Sequence, residues 1–261
     1  MVVWQESRRF ALAGMQGQKR HPPPGVTNDR LSVICRKRGQ GPDATRDAAA
    51  TIPVMPSQTW VQPVVLEGDR VRLEPLEARH LDDLARVAFD TDLWRWTIMG
   101  PQDESGLRRW LDNALANAEA GTERPFATID RSSGRAIGSS RFMSVVPEHK
   151  RLEIGWTWVA TAFQRTGANR EAKLLQMTHA FETLGANRVE FKTHARNERS
   201  RIALTGIGAT FEGVFRQHMV MPDGSLRDSA YFSVIAPEWP AVKASLVAGL
   251  AGTGASSRQT E

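Results

Sequence analysis

The chain has 261 residues and a single cysteine, Cys35, which excludes an intrachain disulfide and a Cys-based zinc site. Its net charge of +5 belongs to one segment: residues 1–56 carry nine Lys or Arg against four Asp or Glu, and the remainder holds 25 of each. That remainder offers no electrostatic case for a nucleic-acid-binding face, and no run nears the roughly 18 apolar residues of a membrane span.

Residues 1–56 show no helical or strand period. His21-Pro22-Pro23-Pro24-Gly25 breaks any regular element, and Arg36-Lys37-Arg38 is a short basic run. The segment reads as a disordered basic extension, or as one lying before the true start, with Met55 the alternative initiator. A transit peptide or a nucleic-acid-binding arm is the competing reading. The lone cysteine and the lack of an apolar leader fit a cytoplasmic setting.

Patterned sequence occupies residues 57–246, and residues 247–261 read as a flexible tail. Val71 and Leu73 alternate with Arg72 and Glu74, a first strand that Pro75 ends. Leu81, Leu84, Ala85 and Ala88 give a short helix, and Asp90 to Pro101 reads as an aromatic-rich connection. Leu107, Trp110, Leu111, Ala114 and Ala118 form the clearest helical stripe, stopped at Gly121. Two strands, Phe126 to Asp130 and Ala136 to Ser144, flank a Ser-Ser-Gly turn.

Leu152, Ile154, Trp156 and Trp158 then alternate with Glu153, Gly155 and Thr157, a half-buried strand. After the basic loop Gln164-Arg165-Thr166-Gly167-Ala168-Asn169, apolar residues recur at helical spacing from Leu174. A helix start presents unpaired N–H groups and the positive end of the macrodipole, which suit a phosphate. An ordinary strand–turn–helix junction is the alternative. Val189 to Thr193 is a further strand, Ser200 to Ile207 a short helix, and Phe211 to Met219 and Ser229 to Ile235 a closing pair joined through Pro222-Asp223-Gly224. The order βααβββαβαββ predicts one α+β domain, with a central mixed, mostly antiparallel sheet and helices on both faces.

Four ordered pieces carry a family resemblance: the loop Gln164 to Asn169, the segment Asn197-Glu198-Arg199-Ser200, Gly208-Ala209, and Glu212-Gly213. Together they resemble the Gcn5-related N-acetyltransferases (GNAT), in particular the RimJ/RimL-like branch, over most of the chain. Asn169 departs from the small residue usual at that loop position. The resemblance implies transfer of an acetyl group from acetyl-CoA to a primary amine, either a protein N-terminus or a small molecule, by direct attack and without a metal. It implies that the N–H groups of Arg165, Thr166, Gly167, Ala168 and Asn169 cradle the pyrophosphate, with the Arg165 cation assisting. The strand end around Trp158 and Val159 would pair with the pantetheine arm, and Asn197 would hydrogen-bond it.

Two residues are candidate catalysts. Ser200 would protonate the leaving thiolate, or else serve as a helix N-cap. Many GNAT enzymes use a tyrosine for the proton, at a position that is Leu204 here, and Tyr231 is the chain's only tyrosine. Glu153 would be the base, or else a structural partner of Arg141 or Arg151. Met219 stands where the RimL-like pattern has a glutamate, so that role is absent or has moved to His218 or Asp228. Trp94, Trp96 and Trp156 are candidate pocket walls, with core packing as their alternative. The histidines lack metal-ligand spacing, so no metal site is expected. A non-catalytic acyl-CoA-binding module is the rival from another class.

Overall fold

The computed structural model describes residues 60–98 and 100–255. Everything expected of residues 1–56, including the alternative start at Met55, lies outside the described residues. Among the described residues eight strands form one sheet in the order β1-β2-β3-β4-β5-β6-β8-β7. They are β1 (Leu66–Glu67), β2 (Val71–Pro75), β3 (Arg124–Asp130), β4 (Ala136–Val146), β5 (Arg151–Val159), β6 (Arg188–His194), β7 (Thr210–Val220) and β8 (Leu226–Ile235). Neighbours are antiparallel except β5 and β6, which are parallel. No described helix is long and apolar enough to cross a membrane.

Helices cover both faces. On one side lie α1 (Leu81–Ala85), α2 (Thr91–Trp94) and α3 (Glu104–Glu119). The α3 stripe of Leu107, Trp110, Leu111 and Ala114 is buried against Ala127, Ile129 and Trp158. Asp103 caps that helix by accepting from the Gly106 N–H at 2.7 Å. On the other side lie α4 (Ala168–Thr178) and α6 (Trp239–Ala255), around Phe142, Leu152, Ile154, Met177, Phe191 and Phe232. The short α5 (Glu198–Gly206) joins β6 to β7. Side chains of both sheet faces leave water, which supplies the main driving force for the fold.

Several expectations need correcting. Strand β5 is not half-buried: Leu152, Glu153, Ile154 and Gly155 are all buried, because β5 is a central strand covered on both faces. The connection from Asp90 contains α2, capped by Asp90 through the Asp92 N–H. Helix α5 begins at Glu198, not Ser200. The tail expected from residue 247 is helical through Ala255, since Trp239, Val242 and Leu246 present one buried stripe to the core. The core includes Val61, at 2% exposure, and the Trp60 indole N–H donates to the Leu184 carbonyl.

Two features position the site. Strands β5 and β6 pair only from Arg151↔Arg188 to Glu153↔Glu190, so β5 beyond Glu153 has no partner on that side. Across the other edge, the β4–β5 register slips between Ser139 and Arg141, and Trp156 sits at φ 50°. A bulge there bends β5 away from β6. The α4 helix is held in place by Glu171, whose carboxylate accepts from the Asp69, Arg70 and Val71 N–H groups at 3.1, 2.7 and 2.7 Å.

Candidate active site

The divergence of β5 from β6 opens a cavity of about 850 Å³. Its walls are β5, the start of α4, α5, the loop after α2, and the tips of β6, β7 and β8. It brings together Trp94, Trp96, Glu153, Trp156, Trp158, Val159, Arg165, Asn169, Asn197 and Ser200. These come from separate parts of the sequence, and the volume falls within the range typical of ligand sites.

One end is built from backbone. The unpaired side of β5 between Ile154 and Val159 presents main-chain donors and acceptors to the cavity. The loop after it turns on Arg165 at φ 64° and on Gly167 at φ 94°. Gly167 is the N-cap residue of α4, in the left-handed region that glycine tolerates and a branched side chain does not. Gly167, Thr166 and Ala168 shape the turn without lining the cavity wall; the Thr166 hydroxyl donates to the Phe163 carbonyl at 2.8 Å. The first-turn N–H groups of α4 lack intrahelical acceptors. Asn169 adds a buried Oδ1 with no hydrogen-bond partner. Gln164 braces the loop, donating to the Val159 carbonyl at 3.3 Å and accepting from Arg199 at 3.2 Å.

The helix α5 presents the next pair. Asn197 is the N-cap: its Oδ1 accepts from the Ser200 N–H at 3.1 Å. This corrects the reading of Ser200 as the cap, since Asn197 already fills that position. Ser200 lines the cavity from the first turn, and its hydroxyl has no partner among the described residues. The Asn197 oxygen is occupied by the cap, which leaves its amide donor for the cavity. Leu204 is buried and lines the same wall.

The other end is built from side chains. Glu153 is buried, and its Oε2 lies 3.5 Å from Lys192 Nζ and 3.4 Å from the Ser144 hydroxyl. Its partners are therefore not Arg141 and Arg151, which pair with Glu123 at 2.7 Å and Glu190 at 3.2 Å. Desolvation pushes the Glu153 carboxyl above its ordinary value, with Lys192 opposing. Gly155 stands beside it because an added Cβ would meet Met143 Sδ at 2.6 Å and Glu153 Oε1 at 3.0 Å. Arg227 and Met219, register partners on β8 and β7, close this end.

Tryptophans serve as wall and as core at once. Trp94 and Trp158 touch at 5.1 Å between ring centroids, are nearly fully buried, and also border the cavity. Trp96 packs against His194 with the rings tilted and their centroids 4.8 Å apart, and Trp156 lies under the Arg141 guanidinium. His218 does not line the cavity. The β7 bulge between Phe215 and Met219, with Gln217 at φ 49°, sets His218 on the exposed edge. There it meets Ser229 at 3.1 Å and Tyr231 at 3.4 Å, and Met219 takes the lining position.

Sequence reasoning missed Lys173, Lys192 and Arg227. Lys173 lines the cavity from α4, and its Nζ donates to the Thr157 hydroxyl at 2.6 Å and the Ser140 hydroxyl at 3.3 Å. Burial without a carboxylate lowers it to about 7. A lysine on the apolar stripe of α4 was the available signal. Among the described residues no group of His, Cys, Asp and Glu side chains could hold a metal.

Residues 70–210 match the family model described as an acetyltransferase (GNAT) domain. The chain is 34% identical over 157 residues to YdaF of Bacillus subtilis (strain 168), named as a ribosomal N-acetyltransferase, covering 54% of this chain and 85% of that one. The crystal structure of a GCN5-related N-acetyltransferase from Brucella melitensis superposes with a TM-score of 0.68 at 36% identity, covering 72% of this chain and 86% of the other. Mycobacterium smegmatis RimJ, in complex with CoA-disulfide, shares the fold with a TM-score of 0.62 at 23% identity, covering 71% and 94%. With its open β5–β6 fork and its left-handed turn into α4, this chain belongs to the GNAT acetyltransferase family and is an N-acetyltransferase.

Proposed function

We propose that the protein transfers the acetyl group of acetyl-CoA directly to a primary amine, of a protein N-terminus or of a small molecule. The observation that carries this reading is the unpaired edge of β5 running into the α4 N-terminus. An extended amide-containing arm can add to such an edge as a strand, and a pyrophosphate suits the helix start. The Gly167 turn fits the same ligand. Trp158 and Val159 would face the pantetheine arm, with the Asn197 amide donating to it. The N–H groups from Arg165 to Asn169, with the Arg165 cation, would meet the phosphates.

Bound acetyl-CoA supplies the acyl group as a thioester. Glu153, with its raised pKa, is suited to take the proton lost by the amine as the C–N bond forms. Ser200 holds a hydroxyl proton that can pass to the sulfur as the C–S bond breaks, and water restores it. Trp96 and Trp156 would border the acceptor. The cavity walls hold both partners in one geometry, which accounts for much of the rate in a reaction of this type.

Release of free CoA over a panel of amines and peptide N-termini tests the reading. Amine-dependent release supports it. Tight acetyl-CoA binding with no release for any acceptor overturns it in favour of a binding module.

A further inference from the structure

Arg227 is anomalous. It is 6% exposed, it lines the cavity, and no carboxylate lies within ion-pair distance of it among the described residues. Its one hydrogen bond among the described residues is a long one, from Nη1 to the Trp96 carbonyl at 3.4 Å, and its Nε is buried without a partner. The nearby carboxylates are engaged elsewhere. Glu153 attracts the Arg227 charge only from beyond ion-pair distance, with Lys192 as its nearest cation, and Asp228 accepts from the Gln217 N–H at 2.7 Å. Across the ladder stands Met219, which carries no charge. His194, lowered chiefly by desolvation and further by the Arg227 charge, does not neutralise it. This end of the cavity therefore has two cations, Lys192 and Arg227, for one carboxylate.

A buried guanidinium without an ion-pair partner is costly to the folded protein. It is also the side chain best shaped to grip a carboxylate with two parallel hydrogen bonds. We propose that Arg227 forms an anion subsite at the acceptor end of the cavity, and that the acceptor amine carries a carboxylate. The proposal rests on the acetyl-transfer reading above and narrows its substrate class. The carboxylate has two sources, the α-carboxylate of a free amino acid or the side chain of an acidic residue at a peptide N-terminus. Either places the amine within a few bonds of the charge, so one molecule can reach both Arg227 and the neighbourhood of Glu153.

The test uses matched acceptors that differ only in the anion: alanine against alaninamide, and peptides starting with Asp or Glu against those starting with Asn or Gln. The unaltered enzyme should favour the carboxylate member of one pair by about 10- to 100-fold in kcat/KM, as expected when a charged partner is lost. The pair that shows the preference identifies the source. Arg227→Gln should bring the ratio toward one, and Arg227→Lys should keep part of it. Met219→Glu, which puts a carboxylate beside Arg227 in advance, should erase the preference by a different route. A ratio near one in the unaltered enzyme, or an equal fall for both members of a pair in Arg227→Gln, overturns the proposal while leaving acetyl transfer intact. If no amine is turned over, the acetyl-transfer reading fails, and calorimetric titration with both pairs, alanine against alaninamide and Asp- or Glu-starting peptides against their Asn or Gln counterparts, still decides the subsite. Tighter binding of the carboxylate member of either pair that Arg227→Gln removes supports it; equal binding within both pairs overturns it.

Discussion

The two ends of the cavity are made differently. The end at β5 and α4 is made of main chain: an unpaired strand edge, a left-handed turn at Gly167 and the open first turn of a helix. The end at β6, β7 and β8 is made of side chains, with Glu153, Lys192, Arg227 and Met219 drawn from four strands. Main-chain recognition needs only that the backbone take the right path, so it tolerates change at most positions and is vulnerable at the one residue whose φ matters. Side-chain recognition spreads over residues that can each be exchanged, and it is the end at which relatives with one fold can take different acceptors.

The sharpest way to break this comparison is Gly167→Val. At φ 94° a β-branched residue is strained, and the turn should move off the phosphate position. Acetyl-CoA affinity should fall more than about 100-fold, as several hydrogen bonds to a charged group are lost together. Calorimetric titration of the folded variant checks it, and unchanged affinity would remove the turn from cofactor binding.

Next in size is Ser200→Ala. Because Asn197 holds the helix cap, removing the serine hydroxyl leaves the capping hydrogen bond in place. Thermal stability should stay near that of the parent. The turnover number should drop by about 10²–10⁴-fold with little change in the KM for acetyl-CoA. Near-normal turnover would show that the thiolate leaves without help from this residue.

Glu153→Gln should cost less, about 10- to 100-fold at neutral pH, since part of the amine arrives already neutral. Desolvation raises the carboxyl of Glu153, so activity in the parent should climb with pH through a point above the ordinary carboxylate range. The glutamine variant should lose that limb. If pH–rate profiles of the two coincide, the base lies elsewhere.

The smallest expected effect concerns Lys173, which lies under β5 where the two ends meet. It is lowered to about 7 in the folded chain and recovers an ordinary value near 10.5 when unfolded. Between these values the unfolded chain binds the extra proton, so stability should rise as pH goes from about 7 toward 10. Lys173→Met should flatten that rise in melting temperature against pH. A parent whose melting temperature falls over the same window would contradict a neutral buried lysine.

How much of this could be read in advance follows the same division. The alternation from Leu152 to Trp158, the loop to Asn169 and the spacing of α4 are local patterns, and the helix start falls where they place it. Asn197 and Ser200 were legible as a unit, but which of them caps the helix was not, because both are good caps and only the backbone path at α5 chooses. Helix α6 has no counterpart in the expected element order, because Ala and Gly from residue 248 onward blur its stripe. Gly249 lies against the Arg170 guanidinium, which a Cβ there would displace. His218 looked like the titratable neighbour of the acceptor, and a bulge on β7, three strands from β5, moved it to the edge.

The sequence by itself determined the fold class, the strand–loop–helix unit that marks the cofactor end, and the absence of a tyrosine at Leu204, because these depend on residues close together in the chain. Only the tertiary structure decided that Glu153 is buried and faces Lys192, that Lys173 has no carboxylate, and that Arg227 points into the cavity without an ion-pair partner. Charge pairing and desolvation are set by what other strands and helices bring within a few ångströms, and that is a property of the sheet order and its bulges rather than of any local pattern.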